Sequence, residues 1–472
     1  MIEGTTLVLL IVTLFAGFYS AWSIGANDVA NVVGTAVGSR ALTLFQAVII
    51  AAIFEFAGAF FLGGNVSETV EGGIVNPDIF SDDVLDYVYG MLSALLAAGV
   101  WLQIASYFGW PVSTTHAIVG AVVGFGLVEG GVEAIYWGRI GSIALSWILS
   151  PLLGGAIAYM IFSFMRRKIF FKIQPVEAAK RVTPYLVFFV FTVLSLIIFF
   201  GGLSGLLVDF TIFETIGTAL LIGLISAIIS FFLVRRIATT SDPKFSQNLQ
   251  VAVELRKVQK HLGRLEASAM GELQDKAHTL LDEVSKLSAD VEGEEVRMAH
   301  SEYQPVEKIF VYLQIITACF MALAHGSNDV ANAIGPMAAI VNVLRGVPII
   351  DAGTVPVWLL LLGGAGIVIG LATWGWRVIE TVGKKITQLT PSRGFAASFG
   401  AATTVILATK LGLPVSTTHV IVGAILGVGL ARGIGAINLI TIRDIFISWV
   451  VTLPAGAVLA VLFFYALRTI FS

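Results

Sequence analysis

The sequence predicts an all-α polytopic membrane protein. Two inverted-topology repeats, with re-entrant or interrupted helices meeting at a midplane site, flank a cytoplasmic helical insertion. Three observations predict this. Of 472 residues, 57% are hydrophobic and 12% charged, more apolar surface than a water-soluble domain hides, so lipid is the solvent for most of the chain. Apolar runs of about 20 residues, the length that spans a bilayer, recur along it. Two polar motifs occur twice, in the same order.

The first run, Thr5–Ile24, is long enough to span and no basic cluster precedes it. It reads as a retained helix and not a cleaved signal. Further spans are Leu44–Gly64, Val84–Tyr107, Trp137–Ser163, Pro184–Phe200 and Phe213–Val234. After a polar interval come Val306–Ala324, Val355–Trp376, Phe395–Leu413 and Ile445–Leu467. Four shorter or interrupted apolar stretches, Asn27–Gly38, Val112–Val128, Asn328–Val343 and Val415–Leu430, hold the polar motifs. The interval from Arg235 to Glu302 carries more than a third of the formal charges. Its Leu255, Val258, Leu262, Leu265, Leu273, Leu280, Val284, Leu287 and Val291 recur at helical spacing, without sustained heptads. A solvated helical hairpin with breaks near Gly263 and Gly271 fits this better than a regulatory or oligomerising coiled coil. The chain therefore divides into membrane repeat 1 (1–165), a linker and membrane hairpin (166–234), a cytoplasmic helical segment (235–305) and membrane repeat 2 (306–472).

The repeat is explicit. Gly25-Ala26-Asn27-Asp28-Val29-Ala30-Asn31 returns 301 residues later as Gly326-Ser327-Asn328-Asp329-Val330-Ala331-Asn332. Pro111-Val112-Ser113-Thr114-Thr115-His116 returns 303 residues later as Pro414-Val415-Ser416-Thr417-Thr418-His419. Ser146-Trp147 before Pro151 is echoed by Ser448-Trp449 before Pro454. Loop charge gives orientation, because short basic loops stay in the cytoplasm. Arg166, Arg167, Lys168, Lys172, Lys180 and Arg181 mark an inside loop. The interval Asn65–Asp86 has six acidic residues and no basic one, whereas its counterpart Arg377–Arg393 has Arg377, Lys384, Lys385 and Arg393 against Glu380. Opposite bias in corresponding loops predicts repeats inserted upside down to one another, as in secondary transporters.

Proline at a helix start loses no hydrogen bond, and Ser or Thr after it can cap or turn toward a ligand. Helix N-termini leave N–H groups free and favour anions. Ser113, Thr114, Thr115, Ser416, Thr417 and Thr418 together would offer a donor-rich cage for a tetrahedral oxyanion. One such triplet would read as helix packing; duplication favours function. A carboxylate within an apolar span is costly and functional by default. Asp28 and Asp329, with Asn27, Asn31, Asn328 and Asn332 at spacings that share a helix face, suit a hard cation such as Na+, or each aspartate carries a proton. No basic residue lies in any of the four motifs, so the acids tolerate an anion only if positive charge enters with it. Glu55, mid-span, is a coupling candidate or a structural carboxylate. His116 and His419 fit helix-packing hydrogen bonds better than a metal site. Gln46 and Arg40 line the site or face a loop. Net charge is −3, which argues against nucleic acid as a partner. The single cysteine, Cys319, forms no internal disulfide. No nucleophile–base pair or metal triad suggests an enzyme.

Gly25–Asn31 with Gly38-Ser39-Arg40-Ala41-Leu42-Thr43, and the two Pro-Val-Ser-Thr-Thr-His elements, resemble the PiT-type inorganic phosphate transporter family, over both membrane halves. The resemblance implies a phosphate symporter in the cytoplasmic (inner) membrane, with inverted repeats, re-entrant hairpins and a homodimer. It carries cation and phosphate roles onto Asn27, Asp28, Asn31, Asn328, Asp329 and Asn332. Phosphate contacts fall to the two Ser-Thr-Thr triplets, and Glu55 matches a carboxylate common in the family. Where some members have a glutamate before each Pro-Val-Ser-Thr-Thr-His element, this chain has Met91 and Ser398, which puts a titratable step there in doubt. Members are Na+- or H+-coupled; many Asn, Ser and Thr oxygens favour Na+ as the co-transported ion, with no organic cofactor. H+-coupled phosphate symport, sulfate symport and an anion channel are the alternatives.

Overall fold

The computed structural model describes residues 4–81, 83–172, 174–201, 211–236, 255, 258–259, 261–268, 270–348, 355–380, 388–433 and 438–471. Its principal helices are α1 (Gly4–Gly38), α2 (Leu44–Leu62), α3 (Gly64–Gly72), α4 (Val84–Phe108), α5 (Thr114–Gly130), α6 (Trp137–Met165), α7 (Pro175–Gly201) and α8 (Ile212–Arg235). They continue with α9 (Glu272–Asp329), α10 (Ala331–Leu344), α11 (Val357–Trp374), α12 (Trp376–Glu380), α13 (Pro391–Lys410), α14 (Thr417–Arg432) and α15 (Leu439–Phe471). Among the described residues no strand forms beyond one isolated bridge, Val75 to Ile135. Nine helical stretches among them are long and apolar enough to cross a membrane. The chain is a multi-pass membrane protein.

It divides into two compact units. The smaller comprises Phe164–Phe189 and Leu224–Phe310. There, residues 261–268 are helical and pair with the start of α9. His278 Nδ1 lies 2.7 Å from Glu266 Oε1, and Gln259 donates to Ser285 at 3.3 Å. Gly271, at φ 61°, makes the turn between them, a conformation glycine adopts without steric cost. The break expected near Gly263 does not occur: Gly263 lies inside the helical residues, where glycine costs only about 1 kcal/mol. Residues 237–254, and the side chains of Leu273 and Val291, lie outside the described set, as do Lys384 and Lys385.

The larger unit, Met1–Ser163, Val190–Gly223 and Val311–Ser472, holds every motif. A separate short helix beginning at Asn27 was the expectation; instead α1 runs unbroken from Gly4 to Gly38. Its backbone has no need to break, because partners from other helices satisfy its polar side chains. The second copy has a one-residue step at Val330, between α9 and α10. The other motif starts a helix, as expected from its proline. Helices α4 and α5 form a hairpin whose tip is Gly109–Ser113, and α13 and α14 form another with tip Leu411–Ser416. Gly109 (φ 69°) and Gly412 (φ 65°) supply the left-handed residue at each tip. Ser113 Oγ then accepts from His116 N at 3.1 Å, and Ser416 Oγ from His419 N at 3.2 Å, capping both second arms.

Glycines set the close packing. A Cβ at Gly25 would strike the Ile367 carbonyl, and one at Gly370 the Trp22 carbonyl. In the other copy Gly326 meets the Glu55 carbonyl and Gly58 that of Leu323. The contacts α1·α11 and α9·α2 are thus made the same way. Arg468 of α15 donates to both Glu129 oxygens at 3.0 Å and lies 3.4 Å from Asp86, fixing the base of the first hairpin.

Candidate functional site

The two motif types meet in the larger unit, and the copies exchange contacts. Asp28 Oδ1 accepts from Thr418 Oγ1 at 3.3 Å, and Asp329 Oδ2 accepts from Thr417 Oγ1 at 2.6 Å. Asn31 Nδ2 donates to Asp28 Oδ1 at 2.7 Å and crosses to Thr418 Oγ1 at 2.8 Å. Asn332 Nδ2 crosses to Thr114 and Thr115 at 3.3 Å each. The tips touch directly: Thr115 donates to Val415 O at 2.9 Å, and Thr418 to Val112 O at 3.0 Å. Asp28, Asp329, all four asparagines and all six Ser-Thr-Thr hydroxyls are buried. Burial of this many polar groups is tolerable only because most are paired.

Asn27 and Asn328 serve the tips. Asn27 Nδ2 donates to Ser106 Oγ and Trp110 O, each at 3.1 Å. Asn328 Nδ2 donates to Thr409 Oγ1 at 3.0 Å and Leu413 O at 3.1 Å, and its Oδ1 accepts from Val415 N at 3.3 Å. These bonds bring each hairpin tip to the helix carrying the aspartate of its own copy.

One residue escaped the sequence reading. His325, immediately before Gly326, is fully buried among three carboxylates. Its Nε2 lies 2.9 Å from Asp329 Oδ2 and 3.6 Å from Asp28 Oδ2; its Nδ1 lies 3.4 Å from Glu55 Oε2. These are close polar approaches, not directed hydrogen bonds. The expectation that no basic group attends the motifs is therefore corrected: one imidazole touches both aspartates. Glu55 is drawn into the cluster by the Gly326 packing, which lays α2 backbone on α9. In the first copy the corresponding pair is Ile24 and Ile367. Duplication could not flag His325, since only one copy has it. The signal available was the mismatch itself, a histidine where the other copy has isoleucine.

Other candidates fall elsewhere. Gln46 and Thr43 form the capping box of α2, and Arg40, at φ 61°, sits in the preceding turn. His116 and His419 pack as helix furniture: their rings are 4.5 Å apart, and each lies against a tryptophan, Trp147 at 3.9 Å and Trp449 at 3.6 Å. Met91 is buried in α4, while Ser398 bonds Thr35 at 2.7 Å, with Gln314 donating to Thr35 at 3.0 Å.

What remains unpaired defines the chemistry. Asn27 Oδ1, Asp28 Oδ2, Asn31 Oδ1, Asp329 Oδ1 and Asn332 Oδ1 are buried with no hydrogen-bond donor. Acceptor oxygens left bare in a polar cluster suit hard cations. Asp28, His325 and Asp329 can each offer a ligand atom within 4.8 Å of the others. The N-termini of α5 and α14, capped by Ser113 and Ser416, present N–H groups beside these oxygens.

Residues 24–460 match the sequence profile of the phosphate transporter family. A Chlamydia pneumoniae protein, provisionally named a phosphate permease, is 51% identical over 98% of this chain and 100% of its own length. The inorganic phosphate transporter 2-1, chloroplastic, of Arabidopsis thaliana is 42% identical over 98% of this chain and 72% of its own. A solved sodium-dependent phosphate transporter superposes with a TM-score of 0.78 at 36% identity, covering 98% of this chain and 100% of that one.

Proposed function

Since the chain belongs to the phosphate transporter family, we propose that it is a secondary active symporter carrying inorganic phosphate together with Na+ across the cytoplasmic membrane. The bare oxygens of Asn27, Asp28, Asn31, Asp329 and Asn332 carry this reading: each accepts, none can bind an anion, and all border the Ser-Thr-Thr tips. Na+ occupies these oxygens. Phosphate lies against the α5 and α14 N-termini, where Thr115, Thr417 and Thr418 turn their hydroxyls from protein acceptors to the anion, Thr114 adds its own, and Ser113 and Ser416 hold the caps.

Electrostatics supplies the coupling. Three carboxylates, Asp28, Glu55 and Asp329, face the single imidazole of His325, so acidic groups outnumber the basic one in the cluster. Phosphate cannot enter such a site unaccompanied, because like charges repel strongly where water is scarce. Cations at the bare oxygens remove that repulsion, so each solute raises the affinity of the other. The two copies work as inverted repeats around this point, supported by the opposite charge bias of their loops.

A second reading, proton coupling, is favoured by His325, which can pass a proton among Glu55, Asp28 and Asp329. Purified protein in liposomes separates the two. Labelled phosphate should accumulate under an inward Na+ gradient at fixed pH and not under a pH gradient without Na+. The reverse result would replace Na+ with H+, and unlabelled sulfate that competed as well as phosphate would overturn the choice of anion.

A further inference from the structure

A dense patch of positive charge lies where α6 gives way to α7. From Arg166 to Arg181 the chain carries Arg166, Arg167, Lys168, Lys172, Lys180 and Arg181 against one acid, Glu177. All belong to the smaller unit. A π-helical turn, Arg166–Phe170, ends α6 and Pro175 opens α7, which leaves only residues 171–174 between them. Lys180 lies 3.7 Å from Glu177, and the Arg166 guanidinium sits 4.9 Å from the centre of the Phe171 ring. Arg167, Lys168, Lys172 and Arg181 are exposed and form no ion pair among the described residues. In the helical hairpin of the same unit, by contrast, Lys276 lies 2.7 Å from Glu272 and Lys286 3.0 Å from Asp282. Cations crowded this closely without counter-acids raise one another's energy, and an anion relieves it.

Aromatic side chains accompany the charge. Phe171, in the corner itself, is 66% exposed, and Tyr185, one turn beyond Arg181 on the same face of α7, is 75% exposed. Both helices are long and apolar enough to cross a membrane, and basic residues with aromatic rings at the ends of such spans mark the level of the lipid headgroups. A charge bias that only orients the chain during insertion asks for neither exposed rings nor missing counter-acids, and a soluble anion asks for no rings. We propose that the α6–α7 corner binds anionic phospholipid. Arg167, Lys168, Lys172 and Arg181 hold the headgroup phosphate, the arginines by paired N–H donors and the lysines as point charges, while the acyl chains lie against Phe171 and Tyr185. The surface uses no residue of the transport site, so failure of either reading leaves the other standing.

The purified protein in nanodiscs, which present both leaflets, tests this with photoactivatable phosphatidylglycerol. The probe should cross-link between Phe164 and Tyr185. Unlabelled phosphatidylglycerol should displace it about tenfold better than phosphatidylcholine, since each cation at a membrane surface is worth roughly fivefold and salt screens part of that. Replacing Arg167, Lys168, Lys172 and Arg181 together by Gln should abolish the preference, whereas Lys276→Gln with Lys286→Gln should leave it intact. Phe171→Ser keeps every charge, and with it the bias that orients the chain, and should weaken cross-linking about fivefold, part of the worth of a buried ring. Cross-links confined to other segments, equal displacement by the two lipids, or a preference that survives the four Gln replacements would overturn the proposal. Unchanged cross-linking in Phe171→Ser, or displacement by inorganic phosphate at matched ionic strength as effective as by phosphatidylglycerol, would overturn the lipid as occupant. The cross-link position is read on the unaltered chain, so the outcome does not hang on the folding of any variant.

Discussion

Asp28→Asn is the smallest change that separates charge from shape. The amide oxygen still accepts from Asn31, so the local packing survives, but the carboxylate that attracts a cation is gone. Uptake driven by Na+ should fall by about 100-fold, the upper range of coupling between linked sites, while the detergent-solubilised protein keeps its size-exclusion profile. Full uptake in that variant would remove Asp28 from the coupling. His325→Gln acts differently. It strips from three buried acids the one basic group that faces them among the described residues, and breaking a buried charge cluster typically costs about 3–5 kcal/mol. The loss should show as a lower melting temperature, and adding Glu55→Gln should recover part of it, since residues in one network are not additive. The aspartates and the Ser-Thr-Thr triplets were legible in the sequence because each occurs twice. His325 was not, because its partner position holds Ile24, and periodic reading discards what does not repeat.

At the scale of elements, glycine decides which helices touch. Gly25 and Gly326 each admit a foreign backbone carbonyl, from Ile367 and Glu55. An alanine at either should separate its helix pair and destabilise the protein by about 1–3 kcal/mol, as overpacking does. Only Gly326→Ala should also lift Glu55 away from His325, so its uptake should fall well below that of Gly25→Ala at matched stability, measured by melting and transport on the same preparations. The second arm of each hairpin was legible from Pro-Val-Ser-Thr-Thr-His, because a proline followed by a capping serine is a local device; the first arms read as full spans, Val84–Tyr107 and Phe395–Leu413. The continuity of α1 was not. Polar residues at Asn27, Asp28 and Asn31 look like a helix break until the partners that satisfy them, Ser106, Trp110 and Thr418, arrive from elements distant in sequence.

For the whole molecule, the proposed opposed insertion of the two copies is read from charge bias, and its consequence would be topological. The first interval is acidic and contains α3, whose Thr69 reaches Gly412 at the second tip; a hairpin entering from inside would present that tip to an outer segment. The first hairpin, whose base is held by Arg468 through Glu129 and Asp86, would enter from outside and open its tip to the inner face. Ser81 and Gln388 are exposed representatives of the two corresponding loops. In sealed cells lacking Cys319, an impermeant maleimide should modify Ser81→Cys from outside and reach Gln388→Cys only after the membrane is opened. Because a protein with parallel repeats would place both on one side, same-side labelling of the pair would discard the inverted arrangement.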